Sequence, residues 1–298
     1  MKLTAGQLPP RKLYGYLTSA IAPRPICFAS TINQKGEVNL SPFSFFNMVS
    51  SNPPICVFSV ARWEDTNSIK HTLENVQDVP ECVINIVNYP MVQQMSLSSA
   101  PYEKGINEFV KAGFTEQKSE LVKPPRVAEA PVQIECLINQ VIPLGEEGGA
   151  GNLIICEIKL VHIKDEILDE SGKIDQAKID LVARLGGDWY CRVTSENLFK
   201  IARPGKGSVI GVDGLPESIR NSSVLTGNDL GKLGKITDLP DENAVEEYAR
   251  EGEIKTLLDA TIGDSFTQEA ELHRAAKKLL DEGKVEEAWK VLLLSLEC

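Results

Sequence analysis

Short apolar runs broken by Gly, Pro and Asn dominate the first 165 positions of the chain. Residues 25–32 (PICFASTI), 54–61 (PICVFSVA), 82–88 (CVINIVN), 132–144 and 152–164 are rich in β-branched residues and bounded by turn formers, a pattern that predicts strands. Residues 33–36 (Asn-Gln-Lys-Gly) lie between two such runs and predict a turn, in keeping with a hairpin. Helical spacing appears in two places: at Ile69, Leu73 and Val76 within residues 67–78, and over residues 91–97 after Pro90. Strands with one or two inserted helices, and no regular strand–helix alternation, favour a mainly β barrel over a doubly wound parallel sheet.

The pattern changes after Pro204. Residues 204–240 are rich in Gly, Ser and Asn and read as an irregular connector. Beyond them, Leu272, Ala276, Leu279 and Leu280, then Val285, Ala288, Trp289, Leu292, Leu293 and Leu296, recur at helical spacing across Gly283. This predicts a helical hairpin with one apolar face, similar to a single tetratricopeptide unit. One such unit cannot bury its own face, so it is expected to dock on the barrel or on a second subunit. The expected organisation is a barrel domain over 1–203, the connector over 204–240 and a helical extension over 241–298.

Composition narrows the function classes. Against 42 Asp and Glu stand 31 Lys and Arg, a net charge of −11 that disfavours nucleic acid and anionic membranes as partners. Residues 21–31 are too short and too polar for a membrane span, and residues 1–15 carry no secretory signal pattern, so the expected location is cytoplasmic. The cysteines (Cys27, Cys56, Cys82, Cys136, Cys156, Cys191 and Cys298) include no Cys-x-x-Cys pair, and five of them lie in strand-like runs, which reads as buried reduced thiols. His71, His162 and His273 lack metal-ligand spacing, so no metal site is expected. The Gly-rich strings at 145–151 and 204–211 match neither a dinucleotide fingerprint nor a P-loop and read as turns. No Gly-x-Ser-x-Gly elbow occurs, and no catalytic side chain is assigned.

Two segments carry candidate chemistry. Pro23-Arg24-Pro25 leads into the first strand, and Asn39-Leu-Ser-Pro-Phe-Ser-Phe-Phe46 follows the turn. A flat redox ring needs hydroxyls and N–H groups along its polar edge and apolar cover on its faces, and Asn39, Ser41, Phe43 and Ser44 supply those types. The plainer alternative is an aromatic core strand with a proline bend. Ser59, Arg62, Lys70, Thr72 and Asn75 offer hydroxyls, an amide and cations of the kind that hold a phosphate dianion, though such a set also suits a solvated helix face.

Read in order, these segments resemble the flavin reductase-like, FMN-binding split-barrel family, which includes flavoredoxins. The resemblance rests on Pro-Arg-Pro at 23–25, Asn-x-Ser-Pro-Phe-Ser-x-Phe at 39–46 and Ser-x-Pro-Pro at 51–54. It continues through the family's Lys-Asp-Thr-x-x-Asn-Ile motif at 70–76, the Ala-Pro loop at 100–109, residues 123–136, and Arg-Leu-Gly-Gly-Asp-Trp-Tyr at 184–190. Together these cover residues 10–195. His71 stands where the family has Asp, and an alternative register on Asp65–Thr66 keeps the Asp-Thr pair but loses the following Asn. The resemblance implies a split β-barrel that forms a homodimer and holds FMN near the subunit interface. It places the ring at Ser41, Phe43 and Ser44, with Arg24 reaching either the flavin or a carboxylate.

The first function this implies is an NAD(P)H-dependent flavin oxidoreductase, in which a hydride passes to the flavin and the protein positions the ring. A second is a flavoredoxin-like electron carrier with no nicotinamide site, whose acidic surface steers a basic redox partner. A third, from another class, is an interaction scaffold that recruits a partner through the C-terminal helices. Deleting residues 241–298 tests part of that reading, since a truncated protein that stays dimeric and keeps flavin and activity shows that the hairpin serves something else.

Overall fold

The β-branched runs become strands close to where their pattern puts them. The computed structural model describes residues 1–204, 207–250 and 252–297. Cys298, and Gly205 and Lys206 of the Gly-rich string at 204–211, lie outside the described residues. The chain divides into two units, Met1–Leu198 and Phe199–Cys298.

In the first unit, helix α1 (Pro10–Ala20) precedes strands β1 (Cys27–Ile32), β2 (Val38–Phe43), β3 (Phe46–Ser51) and β4 (Pro54–Ala61). Helix α2 (His71–Asp78), β5 (Glu81–Ile86) and helices α3 (Val92–Leu97) and α4 (Glu108–Ala112) follow. The short pair β6 (Glu116–Gln117) and β7 (Arg126–Val127) leads to the long hairpin β8 (Val132–Pro143) and β9 (Gly151–Ile163), then to a small ribbon of β10 (Val182–Arg184) and β11 (Tyr190–Arg192). The turn expected at 33–36 joins β1 to β2, with Gly36 in the left-handed region (φ +82°) that a side chain would resist. Helix α2 starts at His71, four residues later than its apolar spacing suggests. Asn67 takes a positive φ of 53° and the Trp63 N–H bonds the Ser68 carbonyl, so residues 63–68 close as a turn.

Seven strands form one antiparallel sheet in the order β2-β1-β5-β8-β9-β4-β3. Strands β2 and β3 sit at opposite edges, yet only Ser44 and Phe45 separate them in the chain. Three peptide steps reach about 11 Å at most, so the sheet must curl until its edges nearly meet. Register shifts between Glu135 and Cys136 and between Ile138 and Gln140 help β8 bend around the curve. Among the described residues no ladder joins β2 to β3, and the barrel stays split along that seam.

Strand β1 is buried along its whole length because both faces are covered. Cys27 and Ala29 face an interior shared with Phe43, Phe58, Ile84 and Ile154, which Leu73 and Val76 of α2 help to close. Phe28 packs on the other side with Met91, Met95, Phe109 and Phe114. Each such side chain contributes about 1.5–3 kcal/mol through burial. Cys56, Cys82, Cys136 and Cys156 also lie in the interior, with Cys82 opposite Cys136 and Cys56 opposite Cys156. Burial pushes the Cys27 thiol well above its ordinary value, and these residues act as small apolar packers. Cys191 is half-buried.

The second unit is helical: α5 (Glu217–Arg220), α6 (Gly227–Leu233), α7 (Glu242–Ala249), α8 (Gly252–Ala260), α9 (Ser265–Asp281) and α10 (Val285–Leu294). Helices α9 and α10 form the expected hairpin, turning at Gly283 (φ +79°). Much of its apolar face is buried within the second unit itself. Leu215, Ile219, Leu225 and Leu233 pack with Leu272, Leu280, Trp289 and Leu292, and the Trp289 Nε1–H donates to the Leu233 carbonyl at 3.2 Å. Within 207–240, the short helices α5 and α6 are separated by irregular backbone, and leucines and isoleucines of this stretch supply one wall of the core. Among the described residues, no helix is long and apolar enough to cross a membrane.

His273 is buried in this unit between two hydroxyls, Ser222 Oγ at 2.7 Å from Nδ1 and Ser295 Oγ at 3.2 Å from Nε2. Ser295 donates its own proton to the Leu292 carbonyl, so it accepts from Nε2–H, and Nδ1 is left to accept from Ser222. Burial lowers the His273 pKa, while Glu269 one turn earlier acts weakly the other way. The unfolded chain therefore takes up a proton that the folded one refuses. The stability tied to His273 is complete above about pH 6.5 and is lost as pH falls below that value. Thermal unfolding followed from pH 7.5 to 5.5 should show this slope for the second unit, and His273→Gln should flatten it.

Candidate functional site

Alternation along β2 sets which side chains meet. Asn39, Ser41 and Phe43 lie opposite Thr31, Ala29 and Cys27 of β1 and so share the inner face. Helix α2 is pinned over that face by two buried amide–hydroxyl bonds, Asn39 Nδ2 to Thr72 Oγ1 at 2.9 Å and Asn75 Nδ2 to Thr31 Oγ1 at 3.1 Å. Because β2 is an edge strand, the outward N–H of Leu40 lacks a strand partner, and the buried carboxylate of Glu108 accepts it at 2.9 Å. Burial raises the Glu108 pKa.

A cavity of about 160 Å³ opens where β2 meets the start of α2, lined by Asn39, Ser41, Lys70, Thr72, Ser99 and Glu108 among others. Lys70 is half-buried there, its Nζ 4.5 Å from the centroid of Trp63 and 5.9 Å from that of Phe43. Among the described residues no carboxylate pairs with it. Burial lowers its pKa. His71 and Tyr102 also border this cavity.

A second cavity, of about 210 Å³, lies further along β2. Phe43, Ile26 and Met95 wall it, and Ser44, Arg184 and Tyr190 line its polar side. Ser99 borders both cavities. Taken together they exceed the lower limit of roughly 300 Å³ for a small-molecule site.

Six of the expected residues thus come together: Asn39, Ser41, Lys70 and Thr72 at one cavity, Phe43 and Ser44 at the other. Four do not line either. Arg24 is buried and donates to the backbone carbonyls of Thr18, Ile21 and Leu185, with Nε 3.5 Å from Ser44 Oγ. Arg62 closes its own loop by donating to Asn67 Oδ1 at 2.6 Å. Asn75 is spent on Thr31, and Ser59 lies on β4 against Gly151, where a Cβ would come within 2.6 Å of its hydroxyl. Ser99, Glu108, Arg184 and Tyr190 are lining residues that the residue-type argument did not single out. The resembling stretches at 100–109 and 184–190 were the signal that pointed toward most of them.

His162 has Nε2 2.7 Å from the fully buried Glu135, which also accepts the backbone N–H groups of Glu120, Leu121 and Val122. It serves that buried carboxylate rather than a nucleophile.

Residues 19–178 match the flavin reductase like domain. A protein of Aquifex aeolicus is 36% identical over 189 residues, covering 63% of this chain and 94% of its own length. The structure of nitrilotriacetate monooxygenase component B from Bacillus cereus superposes with a TM-score of 0.63 at 28% identity, over 67% of this chain and 98% of that one. A Shewanella frigidimarina protein described as having a split barrel domain gives a TM-score of 0.57 at 25% identity, over 70% of this chain and all of that one. These matches account for the first unit and support a flavin-related oxidoreductase activity. The chain belongs to the flavin reductase-like family, with a split-barrel domain followed by a helical extension.

Proposed function

We propose that the first unit binds FMN and acts as an NAD(P)H-dependent flavin oxidoreductase. The observation that carries this is Lys70, a half-buried ammonium with no carboxylate partner among the described residues, facing a hydroxyl-lined cavity. An unpaired cation of this kind is unfavourable unless a ligand brings the counter-charge. The donor set fits a flavin mononucleotide: Lys70, Thr72 and His71 suit a terminal phosphate, and Phe43, Ile26 and Met95 suit the faces of a flat ring. Glu108, its carboxyl pushed toward the neutral form, suits the hydroxyls of a polyol chain rather than the phosphate.

When bound, FMN supplies hydride and electron transfer. The chain's own residues bind and orient it. Lys70 offsets charge on the phosphate beside the Ser41 and Thr72 hydroxyls, Ser44 offers its hydroxyl to the ring edge, and the apolar wall keeps water from one face. The exposed Met48 and Val49 on edge strand β3 support a homodimer that covers them.

The test is direct. Purified protein mixed with FMN and desalted should stay yellow, sediment as a dimer and oxidise NADH or NADPH. Colour that does not survive desalting, with no saturable binding in a flavin titration, sinks the reading. Retained flavin without turnover of either nucleotide assigns the carrier role instead.

A further inference from the structure

Strand β10 and the segment before β1 meet at an isolated bridge, with the Arg24 N–H on the Arg184 carbonyl and the Arg184 N–H on the Arg24 carbonyl, both at 2.9 Å. Two guanidinium groups are thereby set on directly paired backbone positions. Among the described residues neither has a carboxylate within ion-pair distance. Arg24 is buried and its donors are taken by three backbone carbonyls and the Ser44 hydroxyl, so its charge is fixed without being neutralised. Arg184 is held in place by the Tyr190 hydroxyl and the Gly187 carbonyl, each 2.8 Å from one of its terminal nitrogens, with its Cζ 4.6 Å from the Tyr190 centroid. It borders the cavity of about 210 Å³, which no acidic side chain lines among the described residues. In a chain of net charge −11, this is a local positive field built by topology, and it is separate from the Lys70 end.

The occupant can be argued from size and charge. If FMN binds as proposed, its phosphate lies with Lys70, and the ring fills the second cavity and leaves no room there for another ligand. The oxidised ring is neutral. A hydride donor, such as a reduced nicotinamide, delivers two electrons and one proton, so the ring gains one negative charge until a second proton follows. We infer that Arg184, backed by Arg24, stabilises the negative charge that the flavin ring acquires on reduction. This rests on the FMN reading and deepens it. Arg184 becomes the residue that sets how strongly the protein prefers reduced over oxidised flavin. Such a contact gains strength only as charge develops, so it favours the reductive step more than it tightens oxidised FMN.

The experiment is a spectrophotometric reductive titration of the full-length FMN-loaded protein against a reference dye, at one fixed pH. The bound couple should lie above that of free FMN. Arg184→Met and Arg184→Gln should each lower it by about 30 mV, a tenfold loss of preference for the reduced form in a two-electron couple. Arg184→Lys should keep most of the preference, and the Kd for oxidised FMN should change less than threefold in all three. A merely structural role would instead weaken oxidised FMN binding and leave the ratio alone. The inference is overturned if the neutral variants bind FMN with an unchanged ratio, or if Arg184→Lys falls as far as Arg184→Met. A wild-type couple below that of free FMN overturns it without any variant, should the variants fail to fold. Wild-type protein that retains no flavin marks failure of the FMN reading itself, and the inference falls with it.

Discussion

Replacing Lys70 with Met should weaken FMN binding by about 10- to 100-fold, because a hydrogen bond to a charged group is worth about 1.5–3 kcal/mol. The same change should raise the melting temperature of the ligand-free first unit. The Lys70 ammonium sits half-buried against Trp63 and Phe43 with no carboxylate partner among the described residues, so an apolar side chain of similar length removes a desolvated charge. A gain of about 1 kcal/mol corresponds to a rise of roughly 2–4 °C in a unit of this size. The opposite signs are the diagnostic. A residue kept for packing would lose on both counts, whereas one kept for a ligand trades stability for affinity. Riboflavin, which lacks the phosphate, supplies the control, and its Kd should be nearly unaffected by Lys70→Met. Equal losses for riboflavin and FMN would remove Lys70 from the phosphate.

Glu135→Ala should be the most damaging single change in the first unit, costing about 3–5 kcal/mol and lowering its melting temperature by roughly 10 °C. Glu135 is fully buried. Its Oε1 accepts Glu120 N–H at 2.9 Å and His162 Nε2 at 2.7 Å, and its Oε2 accepts Leu121 N–H at 2.6 Å and Val122 N–H at 3.2 Å. Truncation would leave three backbone donors and an imidazole without their acceptor. The loop so held runs on to Pro125, whose carbonyl accepts the Ser30 hydroxyl of β1, so its loss would loosen the strand behind the cavities. Burial alone would raise the Glu135 pKa, but the N–H groups and His162 outweigh it and hold the carboxyl below its ordinary value of 4.5. Its contribution is therefore complete above about pH 4.5 and is lost as pH falls through the lowered folded value. Acid unfolding monitored below pH 4.5 should be steep in the wild type and shallower in Glu135→Gln. Equal steepness in both would assign the acid sensitivity to other carboxylates.

Five of the strands were legible from local pattern, because β-branching and turn residues act over a few positions. Residues 54–61 coincide with β4, 132–144 overruns β8 by one residue, and 152–164 is displaced from β9 by one residue at each end. Helix α1 went unseen because its buried contribution is small, with Thr18 its single buried residue. The small ribbon of β10 and β11, three residues per strand, is too short for alternation to register. The apolar residues of 204–240 are too sparse to show a period, and they are recruited by a hairpin that follows them in sequence.

Residue type and spacing alone place a hydroxyl- and phenylalanine-bearing segment ahead of a helix that includes Lys70, and pair the C-terminal residues as a helical hairpin with one apolar face. Which charged and polar groups stay available to a ligand depends on contacts between distant segments. Arg62 and Lys70 look alike in sequence, but Arg62 closes its own loop through Asn67 while Lys70 faces a cavity with no carboxylate partner among the described residues. Asn75 and Asn39 look equally fit to bind a ligand, and each is tied to a hydroxyl across the fold. Arg184 joined the site because an antiparallel bridge brings it beside Arg24, a pairing that no local pattern encodes. A charge becomes functional through what does and does not neutralise it in space, and strand pairing between distant segments fixes that.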